Sequence, residues 1–283
     1  MDALVATHLG GLGVASEQQL LALSAWVMAA LGAAAFAALL WVEAPYGKYA
    51  GQAHWLYGPP VNGRLAWLLQ EAPSFVVAAA MWRAAAAAGG SGVWAAPNRV
   101  DLSAVNPNTV LLAMYLLHYF NRSFVYPLRL RGSKPTPLVI MLMALGFCLW
   151  NGWMQGRHLA AHATFPPGYL ASPRFLAGVA LFFVGGAINW HSDGTLIALR
   201  RPGESGYKIP RGGAFELVSG ANFFGEIVEW AGFALAAGSL PAAAFAAFTF
   251  CNIAPRGASH HRWYQRQFKD YPRYRRAVIP FLW

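Results

Sequence analysis

Long apolar runs separated by short polar segments dominate the chain, and seven of these runs approach the length that crosses a bilayer. A transmembrane helix needs about 20 mostly apolar residues. The first run carries no charge, and Ser16 and Gln19, near its start, have the spacing of a helix capping box. The predicted spans are 20–42, 65–82, 109–128, 137–154, 175–190, 223–240 and 241–253. The pattern predicts an all-α integral membrane protein, a seven-transmembrane-helix bundle formed by one domain over residues 1–283.

Composition supports a membrane protein. Of the 283 residues, 57% are hydrophobic and only 11% are charged, whereas soluble domains carry about 25% charged residues. The two cysteines, Cys148 and Cys251, both lie inside apolar runs, which argues against a disulfide scaffold and against a cysteine-ligated metal site. The first residues lack a basic segment, so no cleavable signal peptide is predicted.

The basic residues are distributed unevenly between the two ends of the predicted spans. If seven helices alternate in direction, segments 43–64, 129–136, 191–220 and 254–283 share one side and hold most of the 21 Lys and Arg residues. Cytoplasmic loops carry the excess of Lys and Arg. This predicts a cytoplasmic C-terminus and an N-terminus outside. The basic tail could also simply bind anionic lipid.

Several polar residues fall inside the predicted spans, where lipid contact is costly. A carboxylate at the bilayer centre costs roughly 2.5–3.5 kcal/mol, so such residues are expected to face the bundle interior. Glu71 and Tyr119 lie at similar depth and are expected to meet. The alternative is a buried Glu71–Arg122 ion pair that locks helices together. The sixth predicted span has one inward polar face, formed by Asn222, Glu226 and Glu229.

The segments on the basic side combine arginines with aromatic rings. Guanidinium groups bind phosphate and aromatic rings stack on heterocycles, so these segments suit a nucleotide cofactor. Basic loops at a membrane surface are the alternative. No G-x-G-x-x-G motif follows a strand and no G-x-x-x-x-G-K-[ST] occurs, so neither a Rossmann unit nor a P-loop is predicted.

Metal and nucleophile chemistry have weak support. His158 and His162 have the i, i+4 spacing of two ligands on one helix face, but one such pair on the predicted outer side does not make a site. No metal is therefore predicted. No G-x-S-x-G elbow is present, and neither cysteine has a basic neighbour that would activate it.

Eight ordered motifs between residues 46 and 283 resemble the steroid 5α-reductase family. They are Leu69-Gln-Glu-Ala-Pro-Ser-Phe75, His118-Tyr-Phe-Asn-Arg-Ser-Phe-Val-Tyr126, Asn151-Gly-x-x-Gln-Gly156, Asn189-x-His-Ser-Asp193, Arg200-x-Pro-Gly-Glu204, Gly206-Tyr-Lys-Ile-Pro210, Ser219-Gly-Ala-Asn-Phe-Phe-Gly-Glu226 and His260-His-Arg-x-Tyr264. The resemblance implies a membrane reductase that uses NADPH to saturate the 4,5 double bond of a 3-oxo-4-ene steroid. A monomer that takes its steroid from the bilayer is expected.

The resemblance also implies site residues. Glu71 and Tyr119 occupy the positions that hydrogen-bond the substrate ketone, with Gln70 adjacent. The implied cofactor-binding residues are Tyr46, Lys48, Arg131, Asn189, Asp193, Arg200, Tyr207, Lys208, Asn222, Glu226, Arg256, His260 and Tyr264. Lys208 and the Ser133-Lys134 insertion depart from the arginines that the resemblance leads us to expect, so the partner of the 2′-phosphate is not assigned.

Three other functions are compatible with parts of this pattern. A membrane methyltransferase of the isoprenylcysteine type would use S-adenosylmethionine, but its R-H-P motif is missing. A related reductase would act on a non-steroid enone, an enoyl thioester or a polyprenol. A lipid-binding or transport protein would need the inward polar residues only for helix pairing. The Ala-rich composition suggests a bacterial inner-membrane protein, and a eukaryotic source would place it in the endoplasmic reticulum.

Overall fold

The computed structural model describes residues 1–45, 47–52, 55–87, 104–131, 133–199 and 206–283. These residues are almost entirely helical, which confirms the predicted all-α class. The α-helices are α1 (Asp2–Leu9), α2 (Glu17–Trp41), α3 (Gly63–Ala87), α4 (Pro107–Phe120), α5 (Tyr126–Arg129), α6 (Leu138–Arg157), α7 (Pro173–Ala198), α8 (Ala221–Ala237) and α9 (Leu240–Gln267). Two short strands, β1 (Pro60–Val61) and β2 (Thr136–Pro137), pair antiparallel and join the segments that precede α3 and α6.

Four helical segments are long and apolar enough to cross a membrane. They are Glu17–Trp41, Gly63–Ala86, Leu138–His162 and Pro173–Ala198, and they overlap four of the predicted spans. The helices that overlap the other three are less suited on their own, because α4 has 14 residues and α8 has 17, while the second half of α9 is rich in charge. The chain therefore has the helices of an integral membrane protein, and the count of seven spans stays a prediction.

Local signals account for where the longest helices begin and bend. The capping box predicted at Ser16 is present, since its hydroxyl accepts from Gln19 N and the Gln19 side chain accepts from Ser16 N, both at 3.2 Å. Between α4 and α5 the chain forms a π-helical turn, Asn121–Val125. Pro127 has no N–H to donate to the carbonyl four residues earlier, and such a gap favours a wider turn.

Glycines let two pairs of helices approach closely. A Cβ on Gly185 of α7 would collide with the backbone of Glu229 and Gly225 on α8. On α6, a Cβ on Gly156 would lie 2.8 Å from the Cα of Ala78 on α3. Small residues at such positions allow membrane helices to pack backbone to backbone. The close α3–α6 and α7–α8 pairs bring the polar side chains of these helices together inside the bundle.

Candidate active site

A buried hydrogen-bond network surrounds Tyr119 near the end of α4. Tyr119 is 4% exposed, and one side of its ring faces Trp230 at a centroid distance of 5.9 Å. The side-chain amide of Asn151, on α6, donates to the hydroxyl of Tyr119 at 3.4 Å and to that of Tyr115 at 3.1 Å. Aromatic rings therefore surround most of the Tyr119 side chain, and the Asn151 amide contacts its hydroxyl.

Glu71 reaches the same region from α3. The Cys148 thiol of α6 donates to Glu71 Oε2 at 3.9 Å, and Cys148 lies one turn from Asn151, which contacts the hydroxyls of Tyr115 and Tyr119. Gln70 precedes it on α3 and is 9% exposed. The structure thus places Glu71 and Tyr119 in the same region, each in contact with α6.

Arg122 pairs with Asp193 and not with Glu71, the partner that a helix-locking ion pair would require. Its Nη1 donates to Asp193 Oδ2 on α7 at 3.0 Å, and its guanidinium packs over the rings of Trp67 and Tyr126 at 4.8 and 4.7 Å. Within the described part of the chain, Arg122 and Glu71 form no ion pair. The interpretation of Glu71 as the locking partner of Arg122 is therefore wrong.

The polar residues of α8 face α4 and α7, as the spacing of the sixth predicted span indicates. Asn189 Nδ2 on α7 donates to the backbone carbonyl of Asn222 at 2.9 Å. Glu226 acts electrostatically on Arg122. Glu229 contacts His118 Nδ1 at 2.9 Å, and both of these side chains are 5% exposed. One face of α8 therefore carries a continuous polar row into the bundle.

A cleft of about 240 Å³ opens between the ends of the helices and the segments that connect them. Six of the residues proposed to bind cofactor line it, namely Lys48, Arg131, Tyr207, Lys208, His260 and Tyr264. Lys48 Nζ lies 4.4 Å from the ring centroid of Trp263 and 4.5 Å from that of Tyr264. The cleft thus combines cationic side chains with aromatic faces.

The remaining cofactor-binding predictions fall in three places. Asn189, Asp193, Asn222 and Glu226 lie in the polar interior between α4, α7 and α8. Arg256 lies on α9, where it donates to Asn252 Oδ1 at 3.2 Å and covers the Phe223 ring at 5.4 Å. Tyr46, and Arg200 with its motif, lie outside the described residues.

The sequence is similar to proteins of known activity over most of its length. The family model for 3-oxo-5-alpha-steroid 4-dehydrogenase matches residues 134–283. Over 267 residues the chain is 46% identical to 3-oxo-5-alpha-steroid 4-dehydrogenase 1 of Bos taurus, which covers 94% of this chain and 98% of the relative. The human type 1 protein is 44% identical, covering 95% and 98%, and the human type 2 protein is 49% identical, covering 77% and 80%.

This chain belongs to the 3-oxo-5-alpha-steroid 4-dehydrogenase family. The family consists of oxidoreductases that act on CH–CH bonds, so the predicted enzyme class is confirmed along with the resemblance to steroid 5α-reductases. The curated relatives named above are mammalian, and the suggested bacterial source stays a prediction.

In this member of the 3-oxo-5-alpha-steroid 4-dehydrogenase family, sequence reasoning left several residues out of the site. Asn151 was visible as a polar residue within an apolar run, but its contact with Tyr119 depends on how α6 packs. Lys134 also lines the cleft, with Nζ 5.6 Å from the Tyr207 ring centroid. His118 was visible beside Tyr119, and its partner Glu229 lies 111 positions away in the chain.

Electrostatics near the cleft favour neutral rings among fixed positive charges. Burial lowers the pKa of His260 well below its usual range, and the charges of Lys48 and Arg256 lower it further. Burial raises the pKa of Tyr49, whose ring lies 5.9 Å from that of His260, to about 12. Both groups are therefore uncharged near neutral pH, which leaves the local potential to the lysines and arginines. A positive cleft of this kind favours phosphate groups.

Proposed function

We propose that this protein uses NADPH to reduce the 4,5 double bond of 3-oxo-4-ene steroids. The observation that carries the proposal is the position of Tyr119 and Glu71 against one face of α6, in a chain whose relatives are named for this steroid reaction. A neighbouring cleft with cations and aromatic rings supports a phosphorylated cofactor. The same arrangement of donors also suits related enones, which the assay below separates from steroids.

The residues present fit a dinucleotide. Lys48, Arg131, Lys134 and Lys208 offer cations for its phosphates, and the rings of Tyr207 and Tyr264 offer apolar faces. Deeper in the bundle, Asp193 Oδ1 is buried without a hydrogen-bond partner among the described residues. A buried acceptor of this kind is costly unless a ligand or water supplies a donor. We assign it, with Asn189, Asn222, Glu226, Arg256 and His260, to the cofactor site.

The proposed chemistry places the protein donors at the substrate ketone. A cofactor held there would supply a hydride for the β-carbon of the enone, and the ketone oxygen would then gain negative charge. Tyr119 donates its phenolic hydrogen to that oxygen, and Glu71 donates in its protonated form, with Gln70 beside it. Preorganised donors in a dry site stabilise such a developing charge. The α-carbon then takes up a proton, from Tyr119 or from water, which completes the reduction.

We further propose how the protein lies in the membrane. The seven-span arrangement, with one domain over residues 1–283, an outer N-terminus and a cytoplasmic C-terminus, places the cationic cleft on the side of water-soluble cofactor. A sterol is far more soluble in lipid than in water, so it enters laterally from the bilayer to reach Tyr119. One chain carries both sets of residues, and we therefore propose a monomer.

Product analysis tests the reaction. Protein purified in detergent is incubated with NADPH and a 3-oxo-4-ene steroid, and mass spectrometry follows the steroid. The expected product is heavier by two hydrogens and saturated at the 4,5 position. Consumption of a non-steroid enone or enoyl thioester, with the steroid untouched, would overturn the substrate assignment. Binding of S-adenosylmethionine in place of NADPH would overturn the reaction class.

Two substitutions test the proposed donors. Tyr119→Phe and Glu71→Gln should keep NADPH affinity and lose turnover, with each donor contributing on the order of 3 kcal/mol, or about a hundredfold. Glu71→Gln should retain more activity than Glu71→Ala, because an amide still donates. Tyr169→Phe is the matched control. The Tyr169 hydroxyl donates to Ala236 O at 2.9 Å and makes no contact with Tyr119 among the hydrogen bonds of the described residues. Wild-type turnover in Tyr119→Phe would remove Tyr119 from the mechanism.

A further inference from the structure

One face of α6 connects the two proposed donors. Cys148, which contacts Glu71, and Asn151, which contacts Tyr119, lie one turn apart on this helix. Gln155 lies one further turn along, on the same face. Close packing of Gly152 against the backbone of Ser74 holds this face against α3. The position of α6 therefore determines the surroundings of both donors at once.

The hydrogen bonds along this face run in one direction. Gln155 Nε2 donates to the backbone carbonyl of Pro241 at 2.9 Å. A carbonyl can only accept, so the amide nitrogen of Gln155 must be the atom on that side. The same nitrogen lies 3.2 Å from Asn151 Oδ1 and donates to it. The Asn151 amide is thereby oriented with its NH₂ group toward the two phenols.

This orientation has a consequence for Tyr119. The phenol oxygen accepts from Asn151, so its own hydrogen must point in another direction. The Asn151 amide cannot accept that hydrogen, because its oxygen is turned toward Gln155. The hydroxyl of Ser74, which donates to Cys148 O at 3.1 Å, can accept it, and the ketone would take the place of that acceptor. Donation to the oxygen also polarises the phenol and strengthens the hydrogen bond that the phenol donates. Asn151 is buried, so water does not compete for these bonds.

We propose that Asn151 is a positioning residue for the reaction, which keeps the hydrogen of Tyr119 available to the substrate ketone, and that Gln155 fixes the direction of the Asn151 amide. The inference rests on the proposed function, since it assigns Asn151 an effect only through Tyr119. It adds a residue on a third helix to the two donors on α3 and α4. It also gives a role to a polar residue that lies within the apolar run of α6.

The substitution Asn151→Asp tests the proposal with almost no change in shape. Gln155 still donates to one carboxylate oxygen, while the other faces the phenols as an acceptor and draws the Tyr119 hydrogen away from the ketone. We expect kcat to fall about ten- to a hundredfold, with unchanged NADPH affinity and a smaller change in KM. The loss should shrink as pH is lowered, because the protonated acid can again donate to the phenol.

Asn108→Asp is the matched control. Asn108 is also buried, and its amide donates to the carbonyls of Leu159 and Ala163 at 2.8 and 2.9 Å, away from Tyr119. We expect this control to lose stability while kcat per folded enzyme stays near wild type. Equal losses of kcat in Asn108→Asp and Asn151→Asp would overturn the proposal, because a general effect of a buried carboxylate would explain both.

A double-mutant cycle completes the test. In a Tyr119→Phe background, Asn151→Asp should cause no further loss of kcat, since the group on which Asn151 acts is gone. The same additional loss in both backgrounds would overturn the proposal, as would wild-type kcat in Asn151→Asp when Tyr119→Phe is inactive. If the proposed function itself fails, Tyr119→Phe keeps its turnover, which is a different result.

If Asn151→Asp does not fold, Gln155→Met takes its place in the same cycle. This substitution removes the donor that orients the Asn151 amide.

Discussion

Two networks of buried charge lie in the same helix bundle, and they differ in how completely their polar atoms are paired. One joins Glu17 at the start of α2 to Arg157 at the end of α6 and to His162, five residues further on. The other surrounds Arg122 between α4, α7 and α8. Both are shielded from solvent, so burial alone does not separate a structural network from a binding site. The pairing of individual atoms does.

The Glu17 network has both carboxylate oxygens engaged. Arg157 binds Glu17 in bidentate fashion, with Nε 2.7 Å from Oε1 and Nη2 2.9 Å from Oε2. His162 contacts Oε2 at 3.0 Å, which accounts for one histidine of the spacing that suggested a metal site. The Glu17 N–H donates to Asp2 Oδ1 at 2.8 Å, which ties α1 to the same point. This network joins helix ends and offers no open acceptor on Glu17.

The Arg122 network is incomplete by comparison. Arg122 pairs with one oxygen of Asp193, while the other oxygen has no partner among the described residues. Glu226 adds further negative charge near the same guanidinium. An unpaired buried acceptor costs about 1–3 kcal/mol. We propose that the paired network stabilises the fold and that the unpaired oxygen of Asp193 accepts from a ligand.

The largest effect is expected from Glu17→Gln. Removal of one partner from a buried ion pair leaves Arg157 without its carboxylate and should cost about 3–5 kcal/mol of stability. Denaturant unfolding in detergent measures the loss. NADPH affinity and turnover per folded molecule should stay at the wild-type level. A Glu17→Gln protein with wild-type stability and impaired NADPH binding would show that the Glu17 network does not have the structural role assigned to it.

A smaller effect, on a different property, is expected from Asp193→Asn. The substitution replaces the open acceptor and should weaken NADPH affinity about ten- to a hundredfold, or roughly 1.5–3 kcal/mol. Glu226 still lies near Arg122, so stability should fall less than in Glu17→Gln. Fluorescence titration with NADPH and unfolding of the same samples measure both quantities. Unchanged affinity with a large loss of stability would make both networks structural.

The smallest effect concerns a third polar group, where the C-terminal segment meets α9. Gln265 Nε2 donates to His261 Nε2 at 2.8 Å, and His261 Nδ1 donates to Ser219 Oγ at 2.5 Å, an arrangement that requires a neutral ring. Burial lowers the pKa of His261, and the charges of Arg276 and Arg262 lower it further. The unfolded chain, with a histidine pKa of about 6.5, therefore binds a proton more readily than the folded protein.

The stability that neutral His261 provides is accordingly complete above about pH 6.5 and is lost as the pH falls through the lower folded pKa. Thermal unfolding of the wild type between about pH 7.5 and pH 5 should show this loss, and His261→Gln should show a weaker dependence on pH. Because other histidines titrate as well, the difference between the two curves is the relevant quantity. Parallel curves would contradict the assignment.

The sequence by itself determined the helical elements and much of the candidate site. Apolar runs and a capping box act over a few positions, so the helices could be placed without tertiary information. The depth of Glu71 and Tyr119 followed from the rise per residue of a helix. Family motifs identified the residues of the cleft, including Lys48 and Tyr264, although they did not indicate how these side chains pack.

Only the tertiary structure decided which buried groups became partners. Arg122 pairs with Asp193, 71 positions away, instead of Glu71, and Glu17 reaches Arg157 across 140 positions. The contact between Asn151 and Tyr119 likewise depends on the packing of α6 against its neighbours, because hydrogen bonds and ion pairs require distances of a few ångströms. Local pattern orients a polar side chain toward the bundle interior, whereas helix packing selects the atom that it meets there.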